Sequence, residues 1–169
     1  MKRKKDGTAK TILDNVHKGI LKDGINFQEQ DNVIVVGTEK GPSINNVESF
    51  VVQMSDFVGK EIGGSYLSTD GITTTHMTIG HYKNNTLNET KSHGQIAWMK
   101  QYPSISTKGI QGYFHTHPSN GYSYSVRSNP SDYDKFIRDK NLQQNPNLFF
   151  YVLTHPEFPS QPFPEKIRY

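Results

Sequence analysis

The stretch "NLFFYVLTHP" at 147–156 constrains the fold more than any other part of the chain. It is apolar with hardly a break from Leu148 to Leu153, rich in aromatic and branched side chains, and bounded by Asn147 and Pro156. A run this short and this apolar reads as a strand, and a strand without polar alternation belongs inside a sheet, with other elements over both faces. One covering helix is easily found. In "INNVESFVVQMSDFVGK", the residues Val47, Phe50, Val51, Met54, Phe57 and Val58 recur at helical spacing, Asn46 is placed to cap the start, and Gly59 to stop the end.

Other strands are expected at Asn32–Gly37, at 60–68 and at 71–83, the last two joined by a hairpin through "STDG", and again at 108–117. A helix is expected over 87–102, opened by Thr86 and Glu89 in a capping-box relation. Another should start at Pro130, with Asp132 and Asp134 at the positive end of its dipole, and run through "YDKFIRDK". The Pro-rich tail from Pro156 to Tyr169 is expected to lack regular structure. The resulting order predicts an α/β sandwich, a mixed central sheet flanked by helices. Residues 1–45 read as a polar arm or lead-in carrying one strand, and 46–169 as the domain proper.

Composition removes several function classes. The chain has no cysteine, so disulfides, zinc–thiolate clusters and thiol nucleophiles are excluded, and any metal must be held by His and carboxylate. The net charge of +3 traces to Lys2, Arg3, Lys4, Lys5 and Lys10, which read as a solvated tail, so no nucleic-acid partner is inferred. No run approaches the roughly 18 apolar residues of a membrane helix, and no signal-peptide core follows the basic start. A soluble chain with no membrane insertion is expected. An aromatic content of 11 % argues for a packed fold over a disordered one.

The chemistry gathers in "YFHTHPSNGYSYSVRSNPSDYD", at 113–134. His115 and His117 stand at i and i+2, so in an extended strand both imidazoles point to one face and can meet one metal ion. Asp134, in the first turn of the next helix, would complete a three-ligand set, with Asp132 as the neighbouring alternative. Two His and one Asp leave a fourth zinc position for water, the pattern of a catalytic site, where zinc can bring the pKa of that water to roughly 7. Ser131, one helical turn before Asp134, offers a hydroxyl for a developing oxyanion. A carboxylate able to move the proton must come from elsewhere. His76, His81, His155, His17 and His93 read as ordinary structural histidines.

With "HTHP" at 115–118 and "SDYD" at 131–134, the chain resembles the JAB/MPN metalloproteases with the JAMM motif, whose pattern is an upstream Glu, then His-x-His-Pro, then Ser-x-x-Asp. The family's Glu lies in a Glu-x-x-Gly-x-x-Leu context, and "EIGGSYL" matches it with Glu61, Gly64 and Leu67. The resemblance implies an MPN-like, cytidine-deaminase-like sandwich, one Zn2+ per chain on His115, His117 and Asp134, and Glu61 as general base with Ser131 supporting the oxyanion. It also implies a protein or peptide substrate cleaved at a peptide or isopeptide bond. One departure is the spacer "SNGYSYSVRSNP", twelve residues between Pro118 and Ser131 where the family usually has about seven.

The upstream text "ILDNVHKGILKDGIN" with this core is similar to the JAB-like toxin domains at the C-terminal ends of bacterial polymorphic toxins. That implies an effector delivered as part of a longer polypeptide, with a cognate immunity protein as partner. A second reading, a catalytically silent MPN-type module that binds a protein, competes with the enzyme. It is disfavoured by the retention of every ligand. A cytidine-deaminase reading fails because its thiolate ligands need cysteine.

Overall fold

The computed structural model describes residues 16–83, 109–119 and 122–169, with the backbone of two short strands near the start, β1 (Lys2–Arg3) and β2 (Ala9–Lys10), which pair antiparallel. The elements that follow are β3 (Asn32–Val35), α1 (Ile44–Val58), β4 (Gly63–Leu67), β5 (His76–Ile79) and β6 (Ile110–Thr116). Then come a single turn α2 (Tyr124–Arg127), α3 (Asp132–Leu142), β7 (Phe149–Thr154) and β8 (Glu165–Arg168). The helix expected over 87–102, with Thr86, Glu89 and His93, lies outside the described residues.

Six strands form one mixed sheet in the order β3-β5-β4-β6-β7-β8. The pair β6–β7 is parallel and the others are antiparallel. The apolar run from Leu148 to Leu153 is thus an inner strand, flanked by β6 and β8. One face of the sheet packs under α1, where Val47, Phe50, Val51 and Met54 join Ile34, Ile62, Tyr66, Met77 and Phe114. A smaller cluster of Leu67, Ile110, Tyr113, Leu148 and Phe150 packs with Leu142 at the end of α3. The architecture is therefore α/β on a mixed sheet. No helix among the described residues is long and apolar enough to cross a membrane.

Several local expectations are corrected. The cap of α1 is Ser43; Asn46 is the third helical residue and closes a reciprocal capping box, its N–H donating to Ser43 Oγ at 3.1 Å and its Oδ1 accepting from the Ser43 N–H at 2.9 Å. Gly59 does end the helix, in the left-handed region at φ 65° that glycine enters without a Cβ penalty. Phe57 stays 43 % exposed. Pro130 sits one residue before the cap of α3, which is Ser131. The tail carries strand β8, because its last residues complete the ladder of β7 from Tyr151↔Arg168 to Thr154↔Glu165. Within the stretch read as a lead-in, β3 is the sheet's edge strand and Ile20 is fully buried in the α1-side cluster.

Between α1 and β8 a buried carboxylate pairs with a partly exposed lysine, a contact that sequence reading missed. Glu48, 4 % exposed, accepts from Tyr66 Oη at 2.6 Å and from Lys166 Nζ at 2.5 Å. The ammonium also sits over the rings of Tyr66 and Tyr151, at 4.8 and 4.3 Å. Partners 118 residues apart leave no local trace in a sequence.

Candidate metal centre

The sheet register builds the site. In the β4–β6 ladder Gly63 faces His115, and two more residues along the same antiparallel register put Glu61 opposite His117. The ladder does continue in that direction, since the Thr116 N–H donates to the Ile62 carbonyl at 3.0 Å. Three buried polar contacts fix this corner. Thr116 Oγ1 accepts from the Ile62 N–H at 2.8 Å and donates to Ser55 Oγ at 2.7 Å, and Ser55 Oγ donates to the Lys60 carbonyl at 2.6 Å. Glu61 is thereby held between two anchored neighbours. On the other side, β7 clamps the backbone of His117, whose N–H donates to Leu153 at 3.0 Å while its carbonyl accepts from Thr154 Oγ1 at 2.9 Å.

Four side chains converge at this end of β6. The Nε2 atoms of His115 and His117 lie 3.1 Å apart, and His115 Nε2 is 3.6 Å from Asp134 Oδ2. His117 Nε2 is 3.7 Å from Glu61 Oε1. One ligand atom from each of His115, His117 and Asp134 lies within 4.8 Å of the other two. Four donors around zinc at about 2.0–2.1 Å would be separated by about 3.3 Å in a tetrahedron, so the 3.1 and 3.6 Å separations that His115 Nε2 makes are close to those of a chelating set. Asp132, the alternative ligand, points away: its side chain is fully exposed and pairs with Lys135 at 3.3 Å.

The tautomers favour the same reading. His117 Nδ1 lies 2.8 Å from the carbonyl oxygen of Arg127. A carbonyl only accepts, so Nδ1 carries the hydrogen and the neutral ring turns a lone pair at Nε2 toward His115. Burial, together with His115, lowers the His117 pKa against the opposing pull of the Arg127 carbonyl and Asp134, which keeps the ring in the neutral, ligating form. On His115, Nδ1 is 3.4 Å from Tyr169 Oη, and the two rings meet edge to face at 5.9 Å. Each of the two histidines therefore has its outer nitrogen engaged, an arrangement that would orient the imidazoles toward a metal. Two inward nitrogens and a carboxylate oxygen crowded together are stable companions only with a cation or a proton among them.

Asp134 belongs to the start of α3. Its carboxylate closes a capping box with Ser131: Oδ2 accepts from the Ser131 N–H at 2.8 Å and from its hydroxyl at 2.6 Å, and the Asp134 N–H donates back to Ser131 Oγ at 3.1 Å. Burial works against its ionisation, but His115 and the two Ser131 donors outweigh it and hold the carboxyl well below the usual range. Ser131 thus has its hydroxyl hydrogen on Asp134. Glu61 sits half-exposed at the groove, and its pKa is raised by burial, with His115 opposing and Asp134 reinforcing.

The long spacer after Pro118 is not an idle loop. Its turn α2 supplies the Arg127 carbonyl to His117, while the Arg127 side chain donates to Thr154 Oγ1 at 3.3 Å and to the His155 carbonyl. Tyr124 Oη donates to Glu165 Oε1 at 2.6 Å. Ser119, where the spacer begins, donates from N–H and Oγ to Asp56 Oδ1 at 2.6 and 2.9 Å. Asp56 also pairs with His155, a structural place for that histidine. Tyr169 and the Arg127 carbonyl were missed. The alternation in "EKIRY" was the one available signal for the former, and a backbone acceptor has none.

Two further histidines keep structural places, His76 buried on β5 beside Thr75 Oγ1 at 2.8 Å and His81 buried past the end of that strand. His17 Nδ1 accepts from the Gly19 N–H at 3.0 Å. Comparison of the chain with protein-family models and with curated proteins finds no match.

Proposed function

We propose that this chain is a zinc-dependent metallopeptidase of the JAB/MPN type, hydrolysing peptide or isopeptide bonds on an MPN-like sandwich. The observation that carries the reading is the convergence of Glu61 Oε1, the two histidine Nε2 atoms and Asp134 Oδ2 at one groove, from four separate positions in the sequence. The donor set, all nitrogen and oxygen with two imidazoles and one carboxylate, suits zinc and leaves room for a further ligand. His115, His117 and Asp134 would hold the ion. When bound, zinc supplies a Lewis acid that polarises the scissile carbonyl and acidifies water.

The protein's own groups do the rest. Glu61 Oε1 takes a proton from the attacking water and hands it to the leaving amine nitrogen, a role served by a carboxyl whose pKa is lifted toward the working pH. Ser131 offers its hydroxyl hydrogen to the carbonyl oxygen as negative charge builds there. Asp134 would still keep the Ser131 N–H at 2.8 Å when that hydroxyl turns away. The Arg127 carbonyl and Tyr169 hold the two imidazoles in register throughout.

Zinc analysis of the purified protein should give close to one equivalent, and Glu61→Gln should keep the zinc and lose amide cleavage. His117→Ala should lose the zinc. Metal content well below one equivalent under conditions that retain it, or a fully active Glu61→Gln protein, would sink the reading. The toxin-like resemblance adds an effector role: expression in bacteria should arrest growth for the wild type and not for Glu61→Gln, and equal growth would remove that role. A neighbouring-gene product that fails to bind or inhibit the domain would likewise remove the immunity partner.

A further inference from the structure

We infer that the spacer between Pro118 and Ser131 builds a substrate subsite that selects a bulky apolar side chain next to the scissile amide. This rests on the peptidase reading above and adds to it the class of residue the groove accepts. The groove beside the metal centre encloses about 660 Å³, which is large enough for more than one residue of a peptide. Glu61, His117 and Ser131 line its chemical side. Tyr122 and Val126 line it as well, and they are 60 % and 54 % exposed.

A single exposed apolar side chain needs no explanation. Here two occur within five residues, on the segment that is longer than the resembled pattern, and both border the same groove as the ligand histidine. The turn that presents Val126 is also held firmly. Tyr124 and Arg127, one helical step apart, are tied to Glu165 and to the end of β7, so the intervening Val126 is left to the groove. The Val126 part of the wall is preorganised, and a side chain packed on it need not order that turn. Pro118 and Pro130 continue the apolar lining at its two ends.

The Tyr122 and Val126 surface itself carries no charge to receive an acidic substrate residue. The two basic side chains on the groove are already engaged: Lys60 Nζ donates to the Tyr82 and Lys83 carbonyls, each at 3.4 Å, and Arg127 to Thr154 and His155. A leucine, methionine or phenylalanine side chain laid on Tyr122 and Val126 would bury apolar area on both partners and exclude water from the reacting carbonyl. An aspartate laid on the same two side chains would lose solvation against an apolar surface and share the groove with the Glu61 carboxylate. Apolar pockets of this kind discriminate by about 10-fold or more between a bulky side chain and none.

The test needs no known substrate and no turnover. Acetylated leucine, phenylalanine, glycine and aspartate hydroxamates, and the matching series with the side chain on the other side of the hydroxamate, are titrated calorimetrically into zinc-loaded protein. In one of the two series the leucine and phenylalanine probes should bind at least about 10-fold tighter than the glycine and aspartate probes. In Tyr122→Ala/Val126→Ser that ratio should fall to within about twofold, with zinc content preserved; both positions are exposed, where such changes cost little stability. Zinc-loaded protein that shows no apolar preference in either series, or a preference that survives the double substitution, overturns the subsite and leaves the metal centre standing. Protein that takes up no zinc overturns the peptidase reading and the subsite together, and the zinc assay tells the two failures apart.

Discussion

Gly64 lies in β4, three residues beyond Glu61, against the two strands that flank it. A Cβ at this position would sit 2.1 Å from the Thr78 carbonyl oxygen on β5 and 2.3 Å from Phe114 Cζ on β6. Ordinary carbon–oxygen contact is above 3 Å, and the oxygen is backbone, so it cannot swing aside as a side-chain tip can. In Gly64→Ala the strands must separate by about 1 Å, stretching ladder hydrogen bonds worth about 1 kcal/mol each on top of about 1–3 kcal/mol of overpacking. The expected loss is about 3 kcal/mol, or roughly 6–12 °C in melting temperature for a domain of this size. Gly71 provides the contrast. It has open space around it but φ of +75°, so Gly71→Ala should cost only the left-handed backbone penalty of about 1–2 kcal/mol. Thermal unfolding of both variants, followed by circular dichroism, separates the two causes. A Gly64→Ala protein melting within about 2 °C of wild type, or less perturbed than Gly71→Ala, would refute the reasoning. Because β4 aligns Glu61 with the β6 histidines, Gly64→Ala should also lose more activity than its folded fraction explains.

Tyr169→Phe should weaken zinc binding by about 10-fold, the low end for loss of a hydrogen-bonded neighbour of a ligand, because the 3.4 Å contact to His115 Nδ1 is long; chelator competition measures it, and unaltered affinity would rule out the orienting role. Asp56 contributes to the acid behaviour: burial raises its pKa, but His155 and the Ser119 donors outweigh it and leave the folded-state value below the usual one. A carboxyl depressed in the folded state adds stability that is full above the unfolded value of about 3.9 and disappears as pH falls through the folded one. Asp56→Asn should therefore be about 1–2 kcal/mol less stable than wild type near pH 6, with the difference closing below about pH 4; denaturant melts at both pH values check this, and a gap that widens in acid would contradict it.

Helical and strand periods in the sequence located α1, β4 to β7 and α3, since each buries a face that writes itself into the order of apolar residues. The same logic put His115 and His117 together, two residues apart on one strand. Strand β8 was hidden because Pro156, Pro159, Pro162 and Pro164 dominate the tail, while its pairing depends on β7 and only four residues are needed. Ser43 was passed over as a cap because Asn46 is also a capping type; the reciprocal box uses both, and only geometry tells which residue is outside the helix. Nothing in the helix pattern around Glu48 marks it as buried, and its burial rests on Tyr66 and Lys166, 18 and 118 residues further along the chain. Glu61 has no local signature of its own. It was named through its resemblance to a family pattern, and the sheet register is what brings it opposite His117.

The acceptor that fixes the His117 tautomer is a peptide oxygen, so it is present whatever side chain occupies position 127. A point substitution there can loosen the turn by removing the guanidinium anchors, yet it cannot delete the atom that orients the ligand. The metal-facing geometry is therefore buffered against drift in the identity of that residue and exposed to changes in the path of the backbone. Insertions or deletions between Ser123 and Asn129 are the lesions to which this corner is most vulnerable. The exposed side chains on the same turn, free of that duty, can vary in what they contact while the imidazole they border stays in place.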